Sequence, residues 1–92
     1  MSEINDKDAF CLEQLATKGP LTVRQVSLIG IRAGVGPSGA YSGEWAQRHF
    51  VRLRNRELIA RLPHRFEGGF QHRITARGRH AFREYKTGRD EA

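Results

Sequence analysis

The chain has 92 residues, of which 38% are hydrophobic and 28% charged, and a formal net charge of +6. That allows one small domain with a thin core and excludes whole-chain disorder. No apolar run is long enough to span a bilayer, the polar, acidic start is unlike a signal peptide, and a lone cysteine, Cys11, cannot form an internal disulfide. These features point to a cytoplasmic chain in a reducing compartment. The charge is regional. In residues 1–20 the acids Glu3, Asp6, Asp8 and Glu13 outnumber Lys7 and Lys18, whereas residues 44–83 carry ten arginines against Glu44, Glu57 and Glu67. Such a field raises the local concentration of phosphate-bearing partners.

Residues 1–5 carry no structural signal and are expected to fray. From Asp6, the segment DKDAFCLEQLATKG spaces Phe10, Leu12, Leu15 and Ala16 as a helix does, with acids in its first turn and Lys18 near its end. Gly19 and Pro20 then stop it. Leu21 makes a short extended connection. Thr22 and Gln25 form a T-x-x-Q capping box ahead of Val23, Val26, Leu28, Ile29 and Ile31, a second helix that is nearly apolar on one side.

The next stretch, AGVGPSGAY, is a glycine-rich connector. It contains a literal G-x-G-x-x-G, Gly34 to Gly39. A dinucleotide site needs a strand before that motif, whereas here the second helix precedes it and the chain is too short for a doubly wound sheet, so the stretch reads as a loop.

The third helix, expected over about 42–56, organises the rest. Ala46, Phe50 and Leu53 fall on one side, while Glu44, Arg48, Val51, Arg52 and Asn55 point the other way. Ser42 is placed as its N-cap and Glu44 in its first turn. Trp45 lies off the core stripe and is expected to pack on helix 1, the glycine-rich loop or a second subunit. One face of this helix buries; the other is polar and mostly basic, as suits presentation to a polyanion.

The period then changes. Leu58, Ala60 and Leu62 alternate as in a strand, with Pro63 limiting it to an edge or an early end. Glu67-Gly68-Gly69 supplies a hairpin loop and residues 70–75 the return strand. A last short helix, ARGRHAFREY, packs Ala81, Phe82 and Tyr85, and residues 87–92 are expected to fray. His49, His64, His72 and His80 lack metal-ligand spacing, and no nucleophile, base and orienter can be grouped, so neither a zinc site nor an enzyme is expected.

This order resembles the winged helix-turn-helix superfamily over nearly the whole chain, a mainly α fold with a small β-hairpin (α+β) in a single domain, 1–92. Three patterns carry the resemblance: Leu21-Thr22-Val23-Arg24-Gln25-Val26, Leu53-Arg54-Asn55-Arg56-Glu57-Leu58-Ile59, and His72-Arg73-Ile74-Thr75-Ala76-Arg77-Gly78-Arg79. The last looks like the wing's return strand and Thr-x-x-Gly turn in MarR-like and PadR-like regulators. The chain departs from the family in having Glu57 where a glycine is common, a longer loop between helices 2 and 3, and no room for long dimerisation helices. The superfamily is therefore assigned without a subfamily.

The resemblance implies a small bacterial or phage regulator that binds double-stranded DNA, as a dimer and without a cofactor. The third helix would enter the major groove and the wing, about 58–75, would reach the backbone or minor groove. Gln47 and Arg48 would read base edges, Glu44 would accept from cytosine, and Val51 would touch a thymine methyl. Ser42, Arg24, Arg52 and Arg54 would contact phosphates, as would Arg61, Arg65 and Arg73 on the wing. The alternatives are a winged-helix protein-interaction module, such as a phage factor that blocks a host assembly, and RNA binding.

Overall fold

The computed structural model of the chain describes residues 4–36 and 44–91. Its elements are α1 (Asp6–Lys18), β1 (Leu21–Thr22), α2 (Val23–Arg32), α3 (Gln47–Asn55), β2 (Ile59–Phe66), β3 (Gly69–Ile74) and α4 (Ala76–Glu91). The described residues form an α+β fold with four helices and a three-stranded antiparallel sheet.

Local side-chain chemistry sets the first two helix starts. Asn5 accepts the Asp8 amide at 2.8 Å while its own amide donates to the Asp8 carboxylate at 3.2 Å, so the supposedly featureless residue before α1 is its N-cap. Ile4, one residue earlier, is buried in the core with Ala9. The Thr22–Gln25 capping box forms as expected, with reciprocal bonds of 3.1 and 2.9 Å. Leu28, expected on the apolar side of α2, is 42% exposed.

Two expected boundaries move. α3 spans only Gln47–Asn55 and its N-cap is Ala46, which gives no side-chain cap. Glu44 therefore precedes the helix, and Ser42 lies outside the described residues. α4 runs on to Glu91 instead of ending near Tyr85.

The expected two-stranded hairpin is one part of a sheet ordered β1-β3-β2. Leu21 lies opposite His72 and Thr22 opposite Gln71, so the short connection before α2 is a strand whose partner is far away in sequence. β2 is an edge strand, and its register with β3 shifts between Arg61 and Arg65, the interval that holds Pro63.

The core is built from Leu12 and Leu15 of α1, Val26 of α2, Phe50 and Leu53 of α3 and Ile59 of β2. All are essentially removed from water, each worth roughly 1.5–3 kcal/mol for a full-size apolar side chain. α3 is thus gripped along its Ala46–Phe50–Leu53 stripe, as its spacing requires. Among the described residues no helix is long and apolar enough to cross a membrane.

Candidate nucleic-acid interface

Three anchors fix α3. At its N-terminal end the Trp45 indole donates to the Ser27 carbonyl at 2.7 Å, and the Ser27 hydroxyl accepts the Ala46 amide at 3.1 Å. A Cβ added to Gly30 or Gly36 would overlap the indole, so both glycines are needed for its close approach. Phe10 of α1 packs on the same ring at 6.2 Å between centroids. The expectation that Trp45 packs on the first helix and the glycine-rich loop holds, with α2 as its main partner.

The second anchor is a buried carboxylate. Asp8 of α1, 1% exposed, accepts from Nδ1 of His49 at 2.7 Å and lies 3.4 Å from Nη2 of Arg52. Nearby, the Cys11 thiol is pushed up to about 12, first by burial and then by the Asp8 charge, which leaves it an inert packing group.

At its C-terminal end α3 turns sharply into β2. The Leu58 amide reaches the Leu53 carbonyl at 2.9 Å and the Glu57 amide the Arg54 carbonyl at 2.9 Å, a pattern that needs a left-handed residue, here Glu57 at φ 63°. The Thr75 hydroxyl donates to the Glu57 carbonyl at 2.7 Å and accepts the Gly78 amide at 3.0 Å. A Cβ on Gly78 would overlap the Leu58 carbonyl. The Thr-x-x-Gly pattern therefore welds the start of α4 to the turn that ends α3.

With α3 held this way, Glu44, Gln47, Arg48 and Asn55 are exposed, while Val51 is half-buried. Glu44 and Gln47 meet Arg24 at the start of α2 and Arg65 of β2 around one groove of about 310 Å³, closed at one side by Gly68 and Gly69 of the hairpin turn. Four of the residues selected from sequence are brought together there. Ala46 provides no side-chain cap to α3.

The hairpin arginines divide between two faces. Directly opposed residues of an antiparallel pair share a face. Arg61 opposes His72 and Arg65 opposes Phe70, and both guanidinium groups lie over the Phe70 ring, at 4.5 and 5.9 Å. His72 stacks edge-on against Phe50 of α3, so this is the face toward α3. Arg73 opposes Ala60 on the other face and is not brought together with the rest. Arg52 is likewise committed, to Asp8.

Arg54 bridges helix and hairpin. Its Nη1 donates to Nε2 of His72 at 3.2 Å, while Nδ1 of His72 donates to the Phe70 carbonyl at 3.1 Å, an arrangement that requires a neutral ring. Burial lowers the His72 pKa from its ordinary 6.5, the charges of Arg54 and Arg61 add to the shift, and the Phe70 carbonyl opposes it.

Asp8, His49 and Ser27 are not marked as site residues by the sequence, whereas His72 is a weaker candidate on the wing. A signal existed for the first: Asp8 falls at i, i+3, i+4 and i+7 with Cys11, Leu12 and Leu15, placing a carboxylate on an apolar stripe. Among the described residues no group of three or more histidines, cysteines and acids could hold a metal ion. No family model matches the chain, and no curated protein or solved structure matches it either.

Proposed function

We propose that the chain is a sequence-specific double-stranded DNA-binding protein of the winged helix-turn-helix type, a small cytoplasmic regulator of bacterial or phage kind. α3 enters the major groove and the β2–β3 hairpin rests on the neighbouring backbone. The observation that carries this reading is the groove that Gln47, the first residue of α3, and Glu44 before it share with Arg24 and Arg65. Gln47, suited to a base edge, and Arg24 and Arg65, suited to phosphates, line it together with the acids Glu44 and Glu67. The element order and the β1-β3-β2 sheet agree with the superfamily resemblance. With its side chains an α-helix is about 10–12 Å across, which suits a major groove about 12 Å wide.

Arg48 and Gln47 are the base readers of this proposal, and Arg24, Arg54, Arg61 and Arg65 its phosphate contacts. Titration of a labelled duplex across a salt series tests it. Four neutralised phosphates give a log–log slope of about −3.6. Absence of duplex binding at low salt would overturn it.

A protein partner is the second reading, because the two large apolar side chains exposed among the described residues, Leu28 (42%) and Phe66 (51%), line one groove of about 510 Å³ between α2 and the hairpin. Salt-insensitive capture of a protein, with no affinity for duplex, would favour it.

A further inference from the structure

Asp8 is out of character for its chain. Glu44, Glu57, Glu67 and Glu84 are exposed, as are Asp6 and Glu13 on its own helix, whereas Asp8 is 1% exposed. Its oxygens accept from the Asn5 amide at 3.2 Å and His49 at 2.7 Å, with the Arg52 guanidinium at 3.4 Å. Every one of these neighbours is a donor, which suits an ionised carboxylate. Two of the three come from α3, where His49 and Arg52 bracket the turn that follows Arg48.

Arg52 itself is not buried. Its side chain is 42% exposed, one helical turn beyond Arg48 on the outward side of α3. Left without a partner, a guanidinium there would meet a phosphate on any duplex, and such contacts add affinity without regard to sequence. With Asp8 beside it, its charge is cancelled locally and its fork is turned toward α1.

We infer that Asp8 is a positioning residue that withholds Arg52 from phosphate and thereby raises the ratio of specific to non-specific DNA binding. This rests on the reading of α3 as a recognition helix. A purely architectural Asp8 would behave differently: its loss would weaken binding to all duplexes together and leave the number of phosphate contacts unchanged.

The test is the salt dependence of binding to a pool of random-sequence duplexes, followed by fluorescence anisotropy, for the wild type, Asp8→Asn, Arg52→Gln and the double variant. Asp8→Asn keeps the shape and an acceptor for His49 but removes the charge. Its slope is expected to steepen by about 0.9, one further phosphate, with random-duplex affinity rising at low salt. The double variant returns to the wild-type slope, and Arg52→Gln alone leaves that slope unchanged. An Asp8→Asn slope equal to wild type, or an Arg52→Gln slope shallower by about 0.9, overturns the inference. Should thermal melts show that Asp8→Asn does not fold, the Arg52→Gln slope decides by itself. A wild-type chain that binds no duplex overturns the DNA-binding reading and this inference with it, whereas a binding wild type with the wrong slopes overturns the inference alone.

Discussion

The indole nitrogen of Trp45 donates to the backbone carbonyl of Ser27 at 2.7 Å, tying the entrance of α3 to the middle of α2. The ring reaches that carbonyl because Gly30 has no side chain to obstruct it. Gly30→Ala is expected to unseat the indole and destabilise the domain by about 1–3 kcal/mol, the usual cost of overpacking. Trp45 is the single tryptophan, so its fluorescence in a urea titration reports both the emission change and the midpoint. An unchanged midpoint and spectrum would mean that the ring does not depend on that gap.

Glu57 holds a left-handed conformation at φ 63° that costs a side-chain-bearing residue about 1–2 kcal/mol. Against this, its carboxylate meets Arg77 at 2.9 Å, but both side chains are largely exposed, so the pair contributes roughly 0–1 kcal/mol. Glu57→Gly is therefore expected to stabilise the domain slightly, by about 0.5–1 kcal/mol after the greater flexibility of glycine in the unfolded chain is counted. Making the same change in an Arg77→Ala background removes the ion pair from the comparison. A loss of stability there would show that the turn does not strain Glu57.

His72 links stability to pH. Its pKa is lowered in the fold, so the unfolded chain binds the proton more readily. The neutral ring's contribution is complete above the ordinary value of 6.5 and is lost as pH falls from 6.5 through the lower, folded value. Chemical denaturation of the wild type and His72→Gln across that range isolates the effect. The difference between them is expected to be flat above 6.5 and to turn against the wild type below it, by no more than about 1.4 kcal/mol per pH unit for one proton. A pH-independent difference would contradict the neutral, Arg54-bonded ring.

The features that were legible in the sequence are those whose causes lie a few residues apart. Thr22 and Gln25 cap α2 through bonds three residues long, and Thr75 and Gly78 do the same at α4. Ala46, Phe50 and Leu53 bury because helical spacing aligns them. What was not legible depends on partners far along the chain. The start of α3 is set by Ser27 and Gly30, which belong to another helix. β1 has two residues and no period of its own; it is a strand only because β3 lies beside it. Asp8 read as an ordinary first-turn acid because its partner His49 is 41 residues away. The faces of Arg61 and Arg73 follow from strand register, which the irregularity at Pro63 hides from simple alternation. α4 continues through Lys86, Thr87 and Gly88, poor evidence for a helix when read singly.

If the outward side of α3 reads bases, a selection from randomised duplexes will reveal which ones. The selected sequence and a scrambled copy are then titrated with the wild type, Arg48→Ala and Arg65→Ala. A short common sequence is expected to emerge. Arg48→Ala should lose about 1–3 kcal/mol on the selected duplex and relax preference at one position, while Arg65→Ala weakens both duplexes alike. Recovery of no common sequence, or equal losses for both variants on both duplexes, would contradict base reading by α3.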